Sequence, residues 1–472
     1  MKYFIVFLPV FLLQQIVLGQ PVSLSDTANQ YDYVVITVPE FKAASEAFKL
    51  HKETFRNFKV LIVDTSEIFS EFDSSLIKQD NIRNFISYAG TFWKNPKPKY
   101  FLIAGDLSKI PNYEFESVPG YEQTDTARSD YYYTTSKYSN SNEISFCVGR
   151  IAARNGSELN NYFNKVIQYE GNSNLSSWNN NILILSDDQY TTEGNDDDLW
   201  ITMSLNLGKL APDYMNVKYF FEDDSSQYYG PKDSIVHFIN NDGAAAVFFV
   251  GHGNSSVFTH EQYFTFNDVD LIHNGNKYFI TFFVGSQYFS RDTIGSITDK
   301  FLFSEGGSIG ALNYVGEHYL QPNNDFLSKC IKYIFTNPGY TLGETWRNAL
   351  KPATFQNKLI NIFGDPSLKL KFDILADKPP ENILPAAYSL KQNYPNPFNP
   401  ITIIKFSLPE DGMVQMKVYN ILGNEVATIL NSFYKAGEHT VNFNAADLSS
   451  GVYFYTIKSK NFTQTKKMML LK

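Results

Sequence analysis

The chain has 472 residues, 43% apolar and 19% charged, which is material for more than one hydrophobic core and excludes a disordered polymer. Forty basic against forty-nine acidic side chains leave a formal charge of −9, which argues against a nucleic acid or an anionic membrane as partner. Two cysteines, Cys147 and Cys330, exclude a disulfide framework and any CxxC metal or redox site, and leave one bridge open.

Lys2, the apolar run Phe4 to Leu13 and the small or neutral Val17, Leu18 and Gly19 predict a secretory signal peptide over residues 1–19. Its apolar stretch is too short for a bilayer core, which takes about 20 residues. No other run approaches that length, so no transmembrane segment is expected.

From Tyr31 to Leu370 apolar β-type runs alternate with helical patterns. Strands are expected at 33–38, 60–63, 100–104, 182–185, 217–221, 245–250, 279–284 and 308–312, with helices such as 41–55 and 157–169 between them. Near-continuous apolar strands separated by helices predict an α/β body on a parallel sheet covered on both faces, the domain spanning 20–372. The Gly-, Asn- and Ser-rich stretch 171–180 would divide it into subdomains of about 30–172 and 178–372. Cys147 falls in the strand-like 144–148 and Cys330 in the helical 326–335, so both thiols read as buried and inert.

In such sheets function gathers where strands end and loops begin. Four ends are polar: Gly105-Asp106, Ser186-Asp187-Asp188, Gly251-His252-Gly253-Asn254 and Gly285-Ser286-Gln287. Glycines on both sides of His252 let the backbone turn sharply and leave an imidazole uncovered where a base is useful; the plainer reading is a turn histidine bonded locally. Ser286 comes within reach of His252 if the two strands are neighbours, which gives the nucleophile and base that covalent catalysis needs; otherwise it caps the following turn. Asp187, Asp188 and Asp196 to Asp198 could take calcium through hard oxygen ligands, but no DxDxDG spacing supports it and solvated acidic loops are the simpler reading. His237, His260, His273 and His318 form no pair with metal-ligand spacing. No cofactor is required by these residues, and calcium is the one ion they would admit.

Residues 373–387 hold three prolines and little periodicity, as an extended linker does. Beyond it period-two segments recur at 401–408, 413–419, 425–430, 439–443, 451–458 and 466–471, separated by turn residues, which predicts a small all-β sandwich over 388–472. Past residue 385 nine lysines face five carboxylates, +4, against −13 for the residues before it. The segments Tyr388-Ser389-Leu390-Lys391-Gln392-Asn393-Tyr394-Pro395-Asn396-Pro397-Phe398-Asn399-Pro400, Val418-Tyr419-Asn420-Ile421-Leu422-Gly423, Ala436-Gly437-Glu438-His439, Leu448-Ser449-Ser450-Gly451-Val452-Tyr453 and Lys466-Lys467-Met468-Met469-Leu470 stand in one order. In that order they resemble the C-terminal sorting domain of the type IX secretion system. The resemblance implies an address read by outer-membrane machinery, a secreted or cell-surface location reached through the periplasm, and no chemistry of its own.

In the body, Tyr100 to Asp106, Ser129-Asp130-Tyr131-Tyr132-Tyr133, Val148-Gly149-Arg150-Ile151, Lys165 to Glu170, Gly251-His252-Gly253, Asn276 to Phe279, Gly306 to Leu312 and Phe363-Gly364-Asp365-Pro366-Ser367-Leu368 resemble the gingipain-type cysteine peptidases, a family of caspase-like α/β fold. The resemblance implies that His252 is the catalytic base. It implies that Asp130 lies near the substrate pocket, to orient His252 or accept a basic substrate side chain, and that Glu317 borders that pocket. The departure is at the nucleophile, since no cysteine stands between 148 and 329. Counting forward from Lys277-Tyr278-Phe279 puts the family's cysteine position at Ser286; counting back from Phe289 puts it at Val284. A hydroxyl needs stronger activation than a thiolate and a well-formed oxyanion site. Two functions are therefore expected: a secreted homologue that hydrolyses peptide bonds through His252 and Ser286, or an inactive relative that keeps the cleft as an exported binding or surface protein. The partners implied are a protein or peptide substrate and the type IX machinery.

Overall fold

The structure is a computed structural model that describes residues 22–115, 127–139, 143–188, 190–191, 194–195, 199–224, 226–259, 261–284, 295–315, 320–337, 339–351, 356–373, 387–434 and 436–472. The expected signal peptide, Asp196 to Asp198, His260, Ser286, Glu317, His318 and residues 374–386 of the linker lie outside them. The chain divides into two compact units, Met1–Leu375 and Ala376–Lys472.

Ten strands of the first unit form one sheet: β1 (Tyr33–Thr37), β2 (Val60–Asp64), β3 (Tyr100–Ala104), β4 (Cys147–Ile151), β5 (Asn181–Ser186), β6 (Asn216–Phe221), β7 (Ala246–Val250), β8 (Phe279–Val284), β9 (Ser308–Tyr314) and β10 (Ile360–Gly364). Their order across the sheet is β6-β5-β7-β8-β9-β10-β4-β3-β1-β2. Most of these strands are buried along their whole length because helices cover both faces. Side chains alternate between the two cores: Ile182 and Ile184 of β5 face one apolar cluster, Leu183 and Leu185 the other. Helices α1 (Lys42–Phe55), α2 (Gly156–Gly171), α3 (Leu199–Gly208), α4 (Ile297–Phe303), α5 (Leu320–Thr336) and α6 (Leu342–Ala349) lie between strands of this sheet in the chain. Lys52 of α1 is wholly buried and held at 2.6 Å by both Glu170 and Asp365, so the charge is paired where water is absent.

The sheet differs from the expected one in its direction. β10 lies antiparallel to β9 and parallel to β4, so β1 to β4 run opposite to β5 to β9. The polar end Gly105-Asp106 therefore leaves the edge opposite to the one that Asp187, His252 and the end of β8 leave. The expected strand at 144–148 is β4, shifted to 147–151, and β10 has no counterpart among the expected strands. Both cysteines are buried and free, so no bridge forms; burial pushes the Cys147 thiol up to about 12 and raises that of Cys330 as well.

The second unit holds β11 (Ser389–Leu390), β12 (Ile401–Leu408), β13 (Gly412–Asn420), β14 (Glu425–Tyr434), β15 (Gly437–Asn444), β16 (Gly451–Ser459) and β17 (Phe462–Leu470). They form antiparallel sheets ordered β11-β12-β15 and β14-β13-β16-β17. Ile404, Phe406 and Leu408 of one sheet and Val414, Met416, Val418, Tyr455 and Ile457 of the other share a core, while Ile401, Ile403 and Met413 point outward.

Candidate active site

Strands β6, β5, β7 and β8 are consecutive neighbours, all parallel, so their carboxyl ends stand in a row. Ser186 is in register with Val250, and Val250 with Val284. Along that row come Glu222 after β6, Asp187 after β5 and His252 after β7. Ser286 follows Val284 by two positions in the chain and lies outside the described residues.

Asp187 and His252 meet. The His252 ring Nδ1 is 2.8 Å from Asp187 Oδ2, and the His252 backbone N–H donates to the same oxygen at 2.6 Å. The Asp187 N–H donates to the Val250 carbonyl at 3.1 Å, and Asp187 Oδ1 accepts from the Asp188 N–H at 3.0 Å. The carboxylate is thus fixed by the Asp188 N–H on one oxygen and by the backbone and ring of His252 on the other. Gly251 makes the approach achievable: a Cβ there would sit 2.3 Å from Asp187 Cβ. Asp187 is buried, whereas the imidazole side chain keeps 31% of its surface exposed. The Trp200 ring of α3 stands edge-on to the imidazole at 5.0 Å. Beyond His252 the chain makes a tight excursion closed by Thr259 N–H on the His252 carbonyl at 2.8 Å. Thr259 is held at φ +65°, a costly conformation for a β-branched residue that the surroundings must enforce.

Behind this pair lies an acidic group. Oxygens of Asp187, Glu222 and Glu261 come within 4.8 Å of one another, the residues among those described that could hold a metal ion. Burial, followed by the charges of Asp187, Glu261 and Asp188, pushes the Glu222 carboxyl up to about 8, against the pull of a Thr259 hydrogen bond. Glu222 Oε2 is buried without a hydrogen-bond partner. Of the carboxylates expected to admit calcium, Asp187 belongs to this group, and Asp196 to Asp198 lie outside the described residues.

Asp130 is engaged by a guanidinium. Its two oxygens accept from Arg150 Nε and Nη2 at 2.6 and 2.7 Å, and both residues are buried. Arg150 Nη1 also donates to the Gly105 and Ile110 carbonyls at 3.0 and 2.8 Å. The aspartate at the imidazole is Asp187, and Asp130 is the counter-ion of a wholly buried guanidinium. Glu317 lies outside the described residues. Sequence reasoning placed Asp187 at a strand end without pairing it to His252, and gave Glu222 no role; its one signal was a position just past a strand.

Residues 26–371 match the peptidase family C25, and residues 392–471 match a secretion system C-terminal sorting domain. No curated protein matches the chain. Among solved structures, the crystal structure of the Arg-specific cysteine proteinase gingipain R is 14% identical with a TM-score of 0.58, over 94% of this chain and 99% of that one. The complex of the pro- and mature domains of Porphyromonas gingivalis RgpB is 14% identical with a TM-score of 0.56, over 93% and 100%. No helix among the described residues is long and apolar enough to cross a membrane. The sorting domain assigns the protein to export through the outer membrane, to the cell surface or the medium, and to handling by the type IX machinery. On the match over 26–371 and the gingipain fold around the Asp187–His252 strand ends, the chain belongs to peptidase family C25, the gingipain family, and carries a type IX sorting domain.

Proposed function

We propose that the exported protein hydrolyses peptide bonds at the β5–β7–β8 edge, with His252 as general base, Asp187 orienting it and Ser286 in the nucleophile position. The observation that carries this reading is the Asp187 carboxylate on His252 Nδ1 at 2.8 Å, on adjacent strand ends. With Nδ1 engaged, Nε2 is the nitrogen that would take the proton from a nucleophile and return it to the leaving amine, while Asp187 stabilises the imidazolium. The register Val250 to Val284 supports a nucleophile on the next strand end.

A second reading is a pseudo-peptidase that binds peptides or surface components without turnover. It is favoured by the lack of a cysteine between 148 and 329 and by two buried thiols elsewhere whose pKa values are raised. Hydrolysis of a mixed peptide library by the full chain separates the two. The catalytic reading expects turnover that is lost in both His252→Ala and Ser286→Ala. Turnover surviving Ser286→Ala removes that hydroxyl from the mechanism, and the absence of turnover in the unaltered protein leaves the binding reading.

A further inference from the structure

We propose that Asn313 is a positioning residue that ties the end of β8 to the loop carrying His252; the inference rests on the peptidase reading above. The β8–β9 ladder pairs Ile280 with Gly310 and Thr281 with Ala311, and its register ends there. On the other side β8 stays paired with β7 as far as Val284. Where the β9 backbone stops serving β8, the Asn313 side chain takes over, its Oδ1 accepting from the Phe283 N–H at 3.0 Å. The same amide donates through Nδ2 to Thr298 Oγ1 at 2.7 Å. Thr298 is the second residue of α4, and the N–H of Ile297 beside it donates to the Ser255 carbonyl at 2.7 Å. Ser255 is three residues past His252.

These bonds close a ring. It runs from β8 through Asn313 to α4, from α4 to the His252 loop, and from β7 back across the ladder to β8. Asn313 is wholly buried, and a buried strand amide that spans two elements is an expensive choice for packing alone. A leucine has the same branching but no polar atom, whereas the amide meets Phe283 with its acceptor and Thr298 with its donor through two separate atoms. Ser286 follows Phe283 by three positions in the chain, so the ring holds the strand end to which the peptidase reading assigns the nucleophile. A nucleophile and base misplaced by about 1 Å lose about 10²-fold in rate.

The test uses the full chain with Asn313→Leu, Thr298→Val and Thr298→Ser, read by kcat and KM for peptide hydrolysis and by hydrogen exchange at the Phe283 and Val284 amides. Expected are a kcat about 10²-fold lower in Asn313→Leu and about tenfold lower in Thr298→Val, KM within twofold, and recovery in Thr298→Ser, which keeps the hydroxyl. The Phe283 amide of Asn313→Leu should exchange at least about tenfold faster while Val250 is unchanged. Unaltered kcat in both Asn313→Leu and Thr298→Val overturns the proposal, as does a loss that Thr298→Ser fails to restore. If the unaltered protein hydrolyses nothing, the peptidase reading fails and exchange alone decides: faster exchange at Phe283 supports the tie, and unchanged exchange overturns it.

Discussion

His252 and Asp187 are sixty-five residues apart in the chain and share a hydrogen bond because β5 and β7 are neighbours. Asp187→Asn keeps the shape and removes the charge that stabilises an imidazolium, so kcat for peptide hydrolysis should fall about 10²–10⁴-fold with a small change in KM. An unchanged kcat would show that the imidazole works without this partner. Asp130 has the opposite expectation. Asp130→Ala strands the Arg150 guanidinium in a site without water and should cost about 3–5 kcal/mol of stability, read as a lower thermal midpoint, with KM of the folded protein unaffected. A raised KM at an unaltered midpoint would instead place Asp130 at the substrate pocket. His252 was legible in the sequence because flanking glycines have a backbone consequence. Its partner was not, because which strand lies beside which is decided by packing at long range.

At the scale of elements, apolar runs located eight strands of the ten-stranded sheet nearly to the residue, since burial on both faces leaves no other pattern for them. β10 is no shorter than β1 to β4 and is buried throughout, but its antiparallel placement, set by pairing with β9 at long range, leaves no periodic trace in the sequence. The reversal it introduces is what separates Gly105-Asp106 from the other polar ends. Helix α4 shows what a cap contributes and what it costs. Ser296 donates to Asp299 Oδ2 through its N–H and Oγ at 2.9 and 3.0 Å, the Asp299 N–H donates to Ser296 Oγ at 3.2 Å, and Asp299 Oδ1 is buried with no hydrogen-bond partner. Burial pushes the Asp299 carboxyl up to about 6, against the pull of the Ser296 bonds. The folded state then holds a proton that the unfolded chain, near its ordinary value of about 3.9, has already lost. This contribution to stability is complete below about pH 4, falls as the pH rises, and is gone above about pH 6. Thermal midpoints at pH 4, 5, 6 and 7 should therefore show Asp299→Asn gaining on the unaltered protein up to about pH 6 and holding level beyond it. A constant difference across the series would mean that Asp299 is ionised throughout.

At the scale of the whole molecule, the two units differ in layer type, in charge and in core. The apolar clusters of the first unit draw on residues between Leu24 and Phe372, that of the second on residues between Leu390 and Leu470, and no residue belongs to both. In the sequence a proline-rich stretch separates two hydrophobic periods, one of long apolar runs and one of short alternating ones. A unit of about a hundred residues with a closed two-sheet core is large enough to fold alone. Residues 376–472 expressed separately should give a cooperative unfolding transition with antiparallel-β circular dichroism. Residues 22–375 should retain the near-ultraviolet signal of the aromatic pairs, such as Phe248 on Phe282 at 4.5 Å and Phe249 on Phe258 at 4.4 Å, that line the two faces of the sheet behind His252. If either piece unfolds without cooperativity, the units complete one another's cores, and the sorting domain would be part of the peptidase fold as well as its address. Two independent transitions would mean that export and chemistry are separable, so that a chain cut within residues 374–386 keeps whatever activity the Asp187–His252 edge supports.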